Sequence, residues 1–228
     1  MTFGTRKAEQ EGLLVGFYDY TLILTLMSLV SAVFGMTRAI QGHTGLALGC
    51  LMLSGVCDGF DGKVARTKKN RTQDERSFGI QLDSLCDMAA FGAFPAVLCH
   101  SLGVRGALGC VALCFYCVCA VIRLSYYNVV ELNRMLSPQP MQKVYHGLPI
   151  TSITIILPAV YLLKLVMAET LFPVVLIVML FVVGSCFILD FKIYHPGRLV
   201  LFGLAGLLAI AAVILLLSGQ HGLTPLVG

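Results

Sequence analysis

Four aspartates stand in sequence that otherwise reads as membrane-spanning. Two lie in Asp58-Gly-Phe-Asp61-Gly62-Lys63-Val-Ala65-Arg66 and two in Gly79-Ile-Gln-Leu-Asp83-Ser-Leu-Cys-Asp87. Spacings of three and four put each pair on one face of a helix. A carboxylate at membrane depth is costly and is usually retained for function. Hard divalent cations take oxygen ligands, so four converging carboxylates are expected to cage them. Gly62, Ala65 and Gly79 lie close to these aspartates and leave room for a flat or extended ligand against the helix backbone. Arg66 keeps its charge and forks onto phosphate oxygens. Together these residue types suit a metal-bridged diphosphate, which two cations about 4 Å apart can clamp.

The elements that must position these groups are membrane helices. The chain has 228 residues, 57% hydrophobic and 12% charged, with mean hydropathy +0.87. A soluble domain carries about 25% charged residues. The composition predicts an all-α, polytopic membrane helix bundle with a single domain over 1–228. No cleavable signal peptide is expected at the start. A span needs about 20 apolar residues. By that criterion the predicted spans are 18–37, 43–66, 77–100, 105–129, 148–168, 171–190 and 198–218, seven in all. A short surface helix is expected over 2–16.

Charge sets the expected orientation. With the N-terminus inside, all of the 16 Lys and Arg residues except Arg38, Arg105 and Lys164 fall on the inner side. That bias predicts a cytoplasmic N-terminus. Both aspartate pairs then lie at the cytoplasmic ends of spans two and three. The net charge of +4 reflects topology and an anionic leaflet rather than nucleic acid. Lys68, Lys69, Arg71 and Arg76, between these spans, are expected to form a solvated, orienting loop. The nine cysteines fall in or beside apolar segments. Cys114 and Cys117 have the spacing of a redox or zinc pair, but no further zinc ligand lies at the usual spacing, so helix packing is expected.

The order Asp58, Asp61, Gly62, Ala65, Arg66, Gly79, Asp83, Asp87 closely resembles the signature of the CDP-alcohol phosphatidyltransferases, at all eight positions. The twelve-residue spacer after Arg66, the stretch 78–95, the segment Arg123 to Asn128, His146-Gly-Leu-Pro149 and 191–196 are similar to the phosphatidylserine synthase branch. One departure is Asp19, where many relatives carry Asn before the Thr. The resemblance implies a six-helix core, here with an extra span, and a homodimer. It implies that Asp58, Asp61, Asp83 and Asp87 hold two divalent cations, Mg2+ or Mn2+, and that Asp87 is the general base. Gly62, Ala65, Arg66 and Gly79 would line the site for CDP-diacylglycerol. The implied reaction is phosphatidyl transfer to L-serine, releasing CMP, in the plasma membrane of a prokaryote. Arg123, Asn128, Lys143 and His146 are candidates for the acceptor; for Arg123 a structural pairing with a span-end carbonyl or a lipid phosphate is the equal alternative. Glycerol-3-phosphate, inositol phosphate or choline as acceptor is the nearest alternative. A divalent-cation transporter is the alternative of another class, but Arg66 beside the pathway would repel its ion.

Overall fold

The computed structural model describes residues 16–65, 67–68, 71–136 and 147–190. The expected seventh span, nearly all of the expected surface helix, Arg66, Lys69, Lys143 and His146 lie outside the described residues. Every regular element among the described residues is helical.

Helix α1 spans Ile23–Ile40, preceded by one 3-10 turn at Tyr20–Leu22, and α2 spans Thr44–Ala65. These two form the closest pair. Their contact face is small and polar: Ser28 donates to the Ser54 carbonyl at 3.2 Å, and Ser54 to the Ser28 carbonyl at 2.9 Å. Ser31 donates to the Cys50 carbonyl at 2.9 Å. Small residues let membrane helices approach closely, and hydroxyls then bond across the interface. At Gly35 an added Cβ would lie 2.3 Å from the Phe94 ring, so a third helix also presses on this face.

Helix α3 spans Gln73–Asp87. It begins four residues earlier than the predicted third span, because Thr72 and Glu75 cap it reciprocally. Glu75 N–H donates to the Thr72 hydroxyl at 3.2 Å, and Thr72 N–H to the Glu75 carboxylate at 2.9 Å. Asp74 and Glu75 also suit the positive end of the helix dipole. After Asp87 the chain makes a π-helical turn, Met88–Ala93, and continues as α4, Phe94–Ser101. Pro95 has no N–H to offer the Phe91 carbonyl one turn back. The buried Tyr116 hydroxyl donates to that carbonyl instead, at 2.6 Å. Tyr116→Phe is therefore expected to destabilise by about 1–3 kcal/mol, the cost of a buried carbonyl that loses its donor. A lowered melting temperature in detergent, with the helical content unchanged, checks this.

Helix α5 spans Gly106–Leu136, 31 residues, and runs past the predicted end at 129. It is about 46 Å long at 1.5 Å per residue, so its last turns pass beyond a hydrocarbon core of about 30 Å. Helix α6, Ile153–Leu162, is flanked by 3-10 turns, and α7 spans Phe172–Ile188. Tyr20–Ile40, Gln73–Ser101 and Gly106–Met135 are long and apolar enough to cross a membrane; Ile150–Leu162 and Phe172–Ile188 are apolar but shorter. Phe91, Phe94, Leu98, Tyr116, Leu157 and Leu180 are fully buried in the core. The outward face is equally apolar. Val174, Val178 and Val182 form a fully aliphatic exposed stripe on α7, which lipid tolerates and water does not.

Candidate functional site

The last turns of α2 and the second half of α3 bring the four aspartates together. Carboxylate oxygens of Asp58, Asp83 and Asp87 lie within 4.8 Å of one another. Asp58 is within hydrogen-bond reach of Asp87, and Asp61 of Asp83. Thr25 of α1 donates to Asp61 at 3.2 Å. The π-helical turn begins at the residue after Asp87. Such turns change which face a helix presents and often accompany functional sites. Here Asp83 and Asp87 line a cavity while Phe91, within the turn, and Phe94, just past it, are buried.

Like charges this close repel unless protons or a cation stand between them. All-oxygen donors from facing helices fit a hard divalent ion. Among the described residues this is the only such cluster of His, Cys, Asp or Glu. Cys114 is exposed, Cys117 is half-buried and Cys119 is buried, so the cysteines serve the helix surface and packing.

The carboxylates line a cavity of about 1010 Å³. Gly62 and Gly79 line it too, and a Cβ at either would meet nothing within 4 Å. At Gly55, by contrast, a Cβ would lie 2.7 Å from Thr154. The two signature glycines thus keep space open rather than allow tight helix packing. Ala65 ends α2.

Of the acceptor candidates, Arg123 and Asn128 both line this cavity. Asn128 Oδ1 accepts from the Ser84 hydroxyl, which ties α5 to α3. Arg123 is buried, stacks 4.6 Å over the Tyr127 ring and bonds the Phe187 carbonyl at the end of α7 at 3.5 Å. Gly147, at φ +70°, allows its segment to close on that helix end; a Cβ there would lie 2.9 Å from the Leu189 carbonyl.

The connection between α2 and α3 differs from the solvated loop expected. Lys68 and Arg71 are half-buried and line the cavity; Arg76, in the first turns of α3, also lines it but is exposed, as expected. Lys68 pairs with Asp19 at 3.1 Å and Glu75 at 3.5 Å. The hydrogen bond and charge of Asp19, outweighing desolvation, hold the Lys68 ammonium above its ordinary pKa. Arg71 pairs with Asp19 at 3.7 Å and donates to the Thr21 hydroxyl. Sequence reasoning missed Thr25, Ser84 and Tyr127. The spacing of Thr21, Thr25 and Ser28 on an apolar helix was a usable signal for the first; Ser84 and Tyr127 had none.

The chain belongs to the CDP-alcohol phosphatidyltransferase family, whose profile matches residues 20–187. Its apolar helices and this family make it an integral membrane protein. It is similar to the CDP-diacylglycerol–serine O-phosphatidyltransferase of Mycobacterium tuberculosis, 28% identical over 109 residues, 47% of this chain and 37% of that one. The Saccharomyces cerevisiae enzyme of the same name is 32% identical over 116 residues, 50% of this chain and 41% of that one. An archaetidylserine synthase of Methanothermobacter thermautotrophicus is 28% identical over 141 residues, 61% and 56% respectively. The chain thus spans 37% and 41% of the length of the mycobacterial and yeast relatives.

Proposed function

We propose that this protein, as one domain, transfers the phosphatidyl group of CDP-diacylglycerol to L-serine, giving phosphatidylserine and CMP. The observation that carries this is the convergence of four carboxylates on a cavity that Gly62 and Gly79 leave open. The relatives' names support serine as acceptor. Asp58, Asp61, Asp83 and Asp87 would hold two divalent cations, Mg2+ or Mn2+. When bound, these ions neutralise charge that builds on the diphosphate.

The chain's own residues do the rest. Asp87 accepts the proton of the serine hydroxyl. The freed oxygen forms a bond to the lipid-side phosphorus, and the bond from that phosphorus to the CMP oxygen breaks. Gly62, Ala65 and Gly79 give the nucleotide side its room, and Arg66 forks onto phosphate oxygens. Arg123 and Asn128, on the α5 wall, orient the acceptor together with Lys143 and His146. A cation transporter is disfavoured, because Lys68, Arg71, Arg76 and Arg123 line the same cavity. We place the cavity mouth on the cytoplasmic side. Arg38, Arg105 and Lys164 sit at the helix ends away from those that line it, as the positive-inside rule requires. The working unit would be a homodimer in the plasma membrane of a prokaryote; mycobacterial and archaeal relatives support the prokaryotic setting.

The test is CMP release from CDP-diacylglycerol with a panel of acceptors, with and without chelator. Serine is expected to support release that EDTA abolishes and Mn2+ or Mg2+ restores. Release with glycerol-3-phosphate, inositol phosphate or choline but not serine would overturn the acceptor. No release with any alcohol would overturn the reaction.

A further inference from the structure

Thr21 and Thr25 stand one helical turn apart at the start of the first span and serve different neighbours. Thr25 bonds Asp61 of the carboxylate cluster, while Thr21 accepts from Arg71. Arg71 and the carboxylates thus line one cavity from successive positions along the start of the first span.

Arg71 and Lys68 have an anion behind them and open space in front. Thr21, Lys68 and Arg71 line the large cavity, whereas Asp19 faces a small adjoining space with Arg71 and Glu75. Asp19 is shared, at 3.1 Å from Lys68 and 3.7 Å from Arg71. The Glu75 carboxylate is divided between Lys68 and the Thr72 N–H. Arg71 Nε is buried without a hydrogen-bond partner. The contacts with Asp19 and Thr21 thus leave part of the guanidinium's donor set unmet. The neighbourhood is well anchored. Phe17 packs edge-on against Phe78 at 5.7 Å, and the Tyr20 hydroxyl meets that of Thr67 at 2.9 Å.

We propose that Lys68 and Arg71 form a second anion-binding station of the cavity, for phosphate oxygens of a nucleoside diphosphate group, and that Asp19 is their resting counter-ion. The ligand binds in front of the two cations and relieves their dependence on Asp19. This rests on the reading that a nucleoside diphosphate group occupies the cavity. Neither Lys68 nor Arg71 belongs to the eight signature positions.

The test is calorimetric titration of the full chain in detergent with CDP in saturating Mn2+, alongside Mn2+ binding alone. Arg71→Gln and Lys68→Gln are each expected to weaken CDP about tenfold, with Arg71→Lys recovering part of the loss. Asp19→Asn is expected to tighten CDP, because the two cations lose their competitor. None should change Mn2+ affinity without nucleotide. If the Gln variants bind CDP like the wild type and only melt earlier, the cluster is a structural clamp and the station is wrong. If Asp19→Asn weakens CDP as Arg71→Gln does, Asp19 is a strut and its counter-ion role is wrong. If the wild type binds Mn2+ but not CDP, the proposed function fails first, and the station with it.

Discussion

Asp87→Asn is expected to lower phosphatidyl transfer by about 10²–10⁴-fold, the usual worth of a general base. The side chain keeps its size and can still offer one oxygen, but an amide cannot take the hydroxyl proton. Asp87 lies within the oxygen cluster with Asp58 and Asp83, so some loss of cation affinity is also expected. The two effects separate when turnover is measured at saturating Mn2+ and CDP binding is measured beside it. Retained binding with lost turnover assigns the proton to Asp87. Turnover near the wild-type rate would move the base elsewhere.

Gly79→Leu is expected to separate stability from activity. An interior glycine weakens a helix by about 0.8–1.0 kcal/mol relative to Ala, and Leu is nearly as good as Ala. A Cβ at Gly79 meets nothing within 4 Å. The variant should therefore fold at least as stably as the wild type. Its side chain would project into the cavity, beside the space proposed for the nucleotide. Displacing a substrate by about 1 Å can cost 10²-fold in rate, so activity should fall on the order of 10². A melting curve and CMP-release kinetics on one preparation check both halves. Full activity with a raised melting temperature would show that the ligand does not lie against α3. Gly35→Leu is the control, because its Cβ would lie 2.3 Å from Phe94 Cζ and the core must give way.

The carboxylates were legible in the sequence because acidic residues are expensive in apolar helices and helical spacing fixes which share a face. The open space at Gly62 and Gly79 followed from the same logic. Other parts were hidden for physical reasons. The cap at Thr72 and Glu75 was written in the sequence, but neighbouring basic residues made the segment resemble a loop. The π-helical turn after Asp87 shifts the helix register, and apolar spacing alone does not mark where it falls. Asp19 meets Lys68 and Arg71 across about fifty positions of chain, and only the folded hairpin of α1 and α2 makes them neighbours. For Arg123 the sequence leaves open an acceptor contact or a pairing with a span-end carbonyl; the structure shows the second, a bond to the Phe187 carbonyl at the end of α7.

The proposed function rests on the expectation that residues of α2 and α3 hold paired cations. Diffraction from crystals soaked in Mn2+ and CDP, collected at the manganese absorption edge, tests this most directly. Two anomalous peaks bounded by Asp58, Asp61, Asp83 and Asp87, with the nucleotide phosphates beside them, are expected. Nucleotide bound in the cavity with no anomalous density among those carboxylates would contradict it.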